Sequence, residues 1–554
     1  MKPVSHAPAR HAHVHPCHRR RADVPRWVLA PHWLGALAVG FVALLWLVLR
    51  SGTKPSRLTY PCQQSAFSLA TVAFGAPLVG AVIAGRESVA AILRSGVNQV
   101  AGGMLAMLGL VLWAMASTDS SSTGSLLTPP ADYRPDVFVV NDVRGVCPGR
   151  FGGVDDLITL MGAHGLKWHR SAATGATSGP EGLIDPDDVV IIKINGQWSE
   201  RGGTNTDVLR GVIRRIVEHP DGFIGEVIVA DNGQDRGDLN RLLNNAEDRG
   251  QSPQDVVNDF ANEGWNVATQ LWDLFRLTSV GEYSTGNMSN GYVVNPVLHP
   301  RTRIKVSYPK FRTLFDSYVS YKYGVWSPDT QSYDADRLVV INLPVLKTHR
   351  IYGVTASVKN HMGVVTQSLG TGSHNGVGQG GLGSVLADVR MPDLTILDCI
   401  WVQPDVSSGP AAPYAEATRR DQLLAGVDPV ALDAWAAKFV LVPAVLEYGD
   451  PIDAQDPDDP ASIFRQYLDR SMNELLLGGI VTTNDYNAVQ LYQWWMDDED
   501  RDGDVDLTDA GGFVSCWSGP DGSVDPLCAA FNSDCDGDVD LRDFAQFQLL
   551  FTGP

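Results

Sequence analysis

Four residues within a 15-residue window carry groups that could do chemistry: Lys347, His349, Lys359 and His361. Two ammonium groups and two imidazoles this close suit an anionic substrate, such as a carboxylate or phosphate, with histidine as acid or base. Two further groups stand in similar settings. Lys193 ends the apolar run Asp188-Val-Val-Ile-Ile-Lys193, and Asp231 follows Gly225-Glu-Val-Ile-Val-Ala230. In parallel α/β sheets, ligands bind beyond the carboxyl ends of strands. Lys193, Asp231, Lys347, His349, Lys359 and His361 therefore form a candidate catalytic set. Lys193, Asp231, Lys347, His349 and Lys359 are expected to converge in one cleft. The competing bland readings are a snorkelling Lys347 and a turn role for Asn360. A zinc or iron site from His349, His361, His374 and Asp231 or Asp398 is a further alternative, although the spacing matches no ligand run. His374 lies in a Gly-rich stretch that could form a lid or phosphate cradle, but no P-loop or dinucleotide fingerprint is present.

A different chemistry is written twice near residue 554. The first copy runs from Asp498 through Asp500, Asp502, Gly503, Asp504 and Asp506 to Asp509. The second runs from Asn532 through Asp534, Asp536, Gly537, Asp538 and Asp540 to Asp543, 34 residues later. Calcium takes about six to eight oxygen ligands, and a 12-residue loop supplies them from positions 1, 3, 5, 7, 9 and 12, with Gly at 6. Both copies fit, with Asp in place of Glu at position 12. Position 7, Asp504 or Asp538, gives its backbone carbonyl. Two structural calcium ions are expected, with the loops packed through Val505, Leu507, Phe513, Val539, Leu541, Phe544 and Phe547. The tandem repeat and the position-12 Asp resemble a type I dockerin, a small α-helical, EF-hand-like module. That resemblance implies a cohesin-like protein partner. Cys516 and Cys528, between the loops, could form a disulfide in an oxidising compartment.

The central region alternates strand-like and helix-like runs. Strand-like runs are Asp136-Val-Phe-Val-Val-Asn141, the two ending near Lys193 and Asp231, Arg337-Leu-Val-Val-Ile-Asn342 and Leu394-Thr-Ile-Leu397. Helices are expected after Asp207 and from Pro429. This alternation predicts an α/β fold, layered, with a largely parallel sheet.

Three apolar stretches, 27–49, 66–85 and 97–116, each have about the length of a bilayer crossing and no internal charge. Arg19, Arg20, Arg21 and Arg26 precede the first, which predicts a cytoplasmic N-terminus. Arg86 and Arg94 agree, whereas Arg50, Lys54 and Arg57 run against the scheme. A multi-pass membrane protein follows, with its main domain and C-terminal module on the extracytoplasmic side.

The expected organisation is a basic His-rich tail (1–26), a transmembrane region (27–116), a linker (117–135), the α/β domain (136–440), a helical extension or linker (441–496) and the calcium module (497–554). Net charge is −20 overall, +8 over residues 1–60 and −13 over 497–554. No basic stripe follows the N-terminal arm, which argues against nucleic acid.

Several strings of the α/β region are similar to the DUF362 family, a domain of unknown function. They are Val-Ile-Ile-Lys-Ile-Asn, Glu-Val-Ile-Val-Ala-Asp, Asn-Leu-Pro-Val-Leu-Lys-Thr-His, Gly-Val-Thr-Ala-Ser-Val-Lys-Asn and Asp428-Pro-Val-Ala-Leu-Asp433. The resemblance spans roughly 136–440 and implies no particular reaction. Many members carry a four-cysteine ferredoxin run, which this chain lacks. Two functions are compatible with all of this: an enzyme acting on an anionic small molecule, or a non-catalytic binding and assembly protein.

Overall fold

The computed structural model describes residues 126–143, 151–496, 498, 500, 505–523, 528, 531–533 and 536–551, together with Leu44. Apart from Leu44, the three expected membrane spans lie outside the described residues, as do Asp502, Asp504 and Asp534.

The apolar strand-like runs form a ten-stranded, largely parallel sheet flanked by helices. Its strands are β1 (Asp136–Asn141), β2 (Val189–Lys193), β3 (Glu226–Asp231), β4 (Val267–Leu271), β5 (Leu338–Asn342), β6 (Val345–His349), β7 (Gly353–Thr355), β8 (Leu394–Gln403), β9 (Thr418–Gly426) and β10 (Gln490–Trp495). The order across the sheet is β10-β1-β9-β8-β5-β2-β3-β4, with β6 and β7 on a branch beside β8. The pairs β8–β5, β5–β2, β2–β3 and β3–β4 are all parallel.

Strand residues alternate between the two faces, and both faces are buried. Val189, Ile191, Ile228, Leu338 and Val340 join one core. Val190, Ile192, Val227, Val229 and Ile341 join the other. This double burial explains why the strands read as unbroken apolar runs. Helices α1 (Gly152–Ala163), α2 (Thr206–Val217) and α3 (Pro253–Asn262) contribute to the second core. The Asn205 side chain caps α2 by accepting from Asp207 N and Val208 N. The first core contains α4 (Gly381–Asp388), α5 (Pro429–Ala436) and α6 (Ile463–Leu477).

Residues 441–496 are not an appendage. Leu468 and Leu475 of α6 are buried in the first core, and β10 pairs in parallel with β1 at the sheet edge. The sequence hides this because β10, Gln-Leu-Tyr-Gln-Trp-Trp, is half exposed and lacks an apolar run. A six-stranded second sheet, built from residues 279–334, was also not anticipated. Its strands are two to six residues long and interrupted by turns, so no window shows a clear period.

Among the described residues, one helical stretch, Pro429–Tyr448, is long and apolar enough to cross a membrane, and 78% of its apolar 18-residue window is buried within the fold.

Candidate functional site

Strands β2 and β3 lie side by side and end together. Lys193, the last residue of β2, pairs in register with Ala230, next to Asp231. Lys193 Nζ stands 2.9 Å from Asp231 Oδ1, with both side chains almost completely buried. The ammonium also donates to Asn360 Oδ1 at 2.9 Å and to Ile194 O at 2.8 Å. Its three protons therefore meet three acceptors. Asp231 Oδ2 accepts the Gly196 N–H at 2.8 Å. Burial pushes the lysine down and the carboxyl up, and each partner's charge opposes that shift in the other. Neither would hold its charge alone.

Gly363 closes over this pair. A Cβ built there overlaps Asp231 Oδ1 and the end of Lys193, while the Gly363 carbonyl accepts the Asn232 N–H at 2.9 Å. Gly363→Ala is therefore expected to destabilise the fold by about 1–3 kcal/mol, the usual range for forcing an extra methyl into a packed site. The urea midpoint measures this, and an unchanged midpoint would contradict the packing described.

Asn360 belongs to a short helix, Ser357–Asn360, that also carries Lys359. The motif Asp428-Pro-Val-Ala-Leu-Asp433 explains how that helix is placed. Asp428 caps α5 by accepting from Val430 N and Ala431 N, and it also accepts from Thr482 Oγ1 at 2.7 Å. One turn later, buried Asp433 accepts the Ser357 N–H at 2.6 Å and the Val358 N–H at 3.0 Å. It thereby satisfies two of the first N–H groups of the Lys359 helix. Asn360 Nδ2 donates to Asn342 Oδ1 at 2.8 Å, which links the end of β5 to Lys193.

His349 ends β6. Its Nδ1 accepts the backbone N–H groups of Ile351 and Tyr352, both at 3.1 Å. Nδ1 is thus committed as an acceptor and the ring proton resides on Nε2. Burial, then the nearby Lys359 and Lys347 charges, lower its pKa to about 2. His349 is thus placed as a neutral imidazole whose Nε2–H is a donor.

Tyr352 organises the remaining groups. Lys359 Nζ lies 5.3 Å from its ring centre, the His349 ring 5.1 Å and the His374 ring 5.7 Å. The Lys359 side chain makes no hydrogen bond or ion pair among the described residues, while its backbone carbonyl accepts the His361 N–H. Burial and the Lys193 charge bring its pKa down to about 8.

Lys193, Asp231, His349 and Lys359 all line one cavity of about 340 Å³. Two expected members do not. Lys347 is fully buried and donates to Gly202 O at 2.6 Å. Burial, then the Lys359 and Lys193 charges, push it far below the ordinary lysine range. His361 is packed beneath the site, where Nδ1–H donates to Ser357 O at 3.0 Å. Burial lowers its pKa to about 4, which keeps it neutral. Among the described residues, the ligands of the alternative zinc or iron site are not gathered either. Among the described residues, the only groups of three or more candidate ligands within reach of one ion are acidic and lie in the C-terminal module.

The cavity also takes in Asn195, Gln197, Trp198, Asn232, Gln234 and Arg236, none of them in the expected catalytic set. Asn195, Asn232 and Gln234 belong to the polar strings that the sequence shows after β2 and β3, where ligands bind in such sheets. His374 lines the cavity from the Gly-rich stretch.

Residues 329–438 match the family described as Domain of unknown function (DUF362). The matched segment supplies His349, Lys359 and Asn360 and both aspartates of the α5 motif. Lys193 and Asp231 lie outside it. No curated protein and no solved structure matches the chain.

The C-terminal module repeats one local design twice. Asp506 caps the helix Leu507–Ser515 in a capping box with Asp509, and Asp540 caps Leu541–Phe547 in the same way with Asp543. Asp498, Asp500 and Asp509 bring carboxylate oxygens within reach of one ion, as do Asp538, Asp540 and Asp543. Asp536 and Asn532 are also among the described residues of the second loop. Val505, Phe513, Phe531, Val539 and Phe547 form the module's core, with Phe544 packed against it. Leu507 and Leu541, expected in that core, are instead 73% and 70% exposed. Each is the first residue of its helix and so projects outward beside the cap. Cys516 and Cys528 form a disulfide. Trp495, the last residue of β10, packs against this core, and the Asp498 N–H donates to Trp495 O at 3.1 Å.

Proposed function

We propose that the strand-end cavity binds a small anionic molecule and acts on it as an enzyme site. The observation that carries this reading is Lys359, a cation at the cavity wall with no counter-ion among the described residues. A ligand carboxylate or phosphate would supply the missing charge, and a charge-assisted hydrogen bond in such a setting is strong. The neutral His349 Nε2–H and the amide side chains of Asn195, Gln197 and Asn360 would orient the ligand by hydrogen bonding. The buried Lys193–Asp231 pair would hold the floor of the site.

The pH dependence follows from Lys359. Its ammonium is present below about pH 8 and is lost above it. Affinity for oxalate, a dianion throughout this range, is expected to be constant below about pH 7 and to fall by up to about tenfold per pH unit above 8. Calorimetric titration of the full-length protein across this range measures it. No binding, or binding that does not change with pH, would remove the reading.

The acidic loops support a second element of the proposal, a calcium-binding module. Convergence of three carboxylates in each repeat supports it, because such clusters repel without a cation. Docking of that module to a cohesin-like partner would give the chain an assembly role. Membrane anchoring through 27–116, with the cavity outside the cytoplasm, completes the proposal and rests on the arginine distribution of the sequence.

A further inference from the structure

We propose that Lys359 is an imine-forming nucleophile, and that its partner is a small oxo acid, a carbonyl compound that also bears a carboxylate. This inference rests on the anion-binding reading of the cavity and specifies the substrate class.

Three lysines approach this region, and geometry separates their roles. Lys193 has all three donors matched, to Asp231, Asn360 and Ile194 O. Lys347 is spent on Gly202 O and does not line the cavity. Lys359 alone lines the cavity with its nitrogen uncommitted. The one buried carboxylate lining this end of the cavity, Asp231, is held by Lys193 at 2.9 Å. A lysine that is desolvated and placed beside other cations has its free amine favoured, which is how amine nucleophiles are activated near neutral pH. The lowering of the Lys359 pKa to about 8 agrees with this placement.

The surroundings fit the remaining demands of the step. The Lys359 nitrogen lone pair adds to the carbonyl carbon, and the carbonyl π pair moves to oxygen, which takes up a proton. The proton taken up by oxygen comes from the amine nitrogen; the carbinolamine then loses its hydroxyl together with the remaining nitrogen proton as one water, which leaves the imine. One water is released and nothing is oxidised or reduced. His349 presents Nε2–H, the donor needed to polarise the carbonyl, because its Nδ1 is tied to two backbone N–H groups. The Tyr352 ring is near both residues, 5.3 Å from Lys359 Nζ and 5.1 Å from the His349 ring. Arg236 and the amide side chains at the cavity wall offer donors for the carboxylate.

The test uses the full-length protein with glyoxylate and sodium cyanoborohydride, which reduces an imine to a stable secondary amine. Peptide mass spectrometry then locates the adduct. Labelling of Lys359 is expected to be at least tenfold faster than that of any other lysine. It should be suppressed by excess oxalate, abolished by Lys359→Arg and unchanged by Lys322→Arg. At saturating glyoxylate its rate should level off above about pH 8, whereas a surface lysine continues to gain reactivity towards its ordinary pKa. Labelling spread evenly over the lysines, or centred on Lys193, overturns the inference. Equal labelling by acetaldehyde overturns the oxo-acid assignment. Oxalate binding measured in parallel separates the two levels. Oxalate that binds without any Lys359 adduct sinks the imine and leaves the anion site standing, whereas failure of oxalate to bind sinks the anion site itself.

Discussion

Asp231→Ala is expected to lower the stability of the α/β domain by about 3–5 kcal/mol, the usual consequence of stranding one partner of a buried ion pair. Lys193 would keep its bonds to Asn360 Oδ1 and Ile194 O but lose the only charge that compensates it. It would lose its proton or draw water into the sheet end. The Gly196 N–H would lose its acceptor as well. Replacing both partners with apolar residues of similar volume, Lys193→Met with Asp231→Leu, should recover much of the loss, because no charge is then left buried. Urea unfolding monitored by tryptophan fluorescence reports both variants. A single-variant loss below about 1 kcal/mol would show the pair to be far better solvated than its burial indicates. Oxalate affinity of the double variant adds a second readout: it should fall although the fold is retained, since Lys193 also borders the cavity.

The second large effect concerns calcium. Two ions per chain are expected, and chelation should loosen both helices of the C-terminal module. The carboxylates of Asp498, Asp500 and Asp509, and of Asp538, Asp540 and Asp543, are held close enough to share an ion. Without one, each group is a local concentration of like charge, so binding and folding are coupled. At calcium about a hundredfold above the dissociation constant, each site would add about 2.7 kcal/mol. Hydrogen exchange over 505–551 in the full-length chain, with calcium and with EDTA, reads this as roughly a hundredfold change in protection. The Cys516–Cys528 bridge should leave some order in EDTA. Identical exchange at millimolar calcium and in chelator would leave the segment an acidic tail.

The central strands of the main sheet were legible because double burial writes them as continuous apolar runs, and the polar residues at their ends line the cavity. Lys193 and Asp231 stand at two such ends, and His349 ends β6. Lys347 was misplaced for a local reason. The β6 register against β8 shifts between Val345 and Lys347, and no pattern in the sequence announces that shift. His361 shares the polar character of its neighbours but lies one short turn beyond Lys359, under the helix rather than at its open side. Asn360, offered by sequence as a turn residue, joins β5 to Lys193. Its importance depends on contacts 18 and 167 residues away, which no local window contains. The small second sheet was missed for the opposite reason: its strands are too short to show any period at all.

The junction at Trp495 bears on how the molecule could transmit a signal. Strand β10 ends in the residue that plugs the module's core, and the first repeat begins at Asp498. Only Met496 and Asp497 separate β10 from the first repeat in sequence, too short a stretch for a long tether. Anything grasped by the module would be held close to the β10 edge. Pulling on it would load that edge strand directly, peeling β10 from β1 before any tether could straighten.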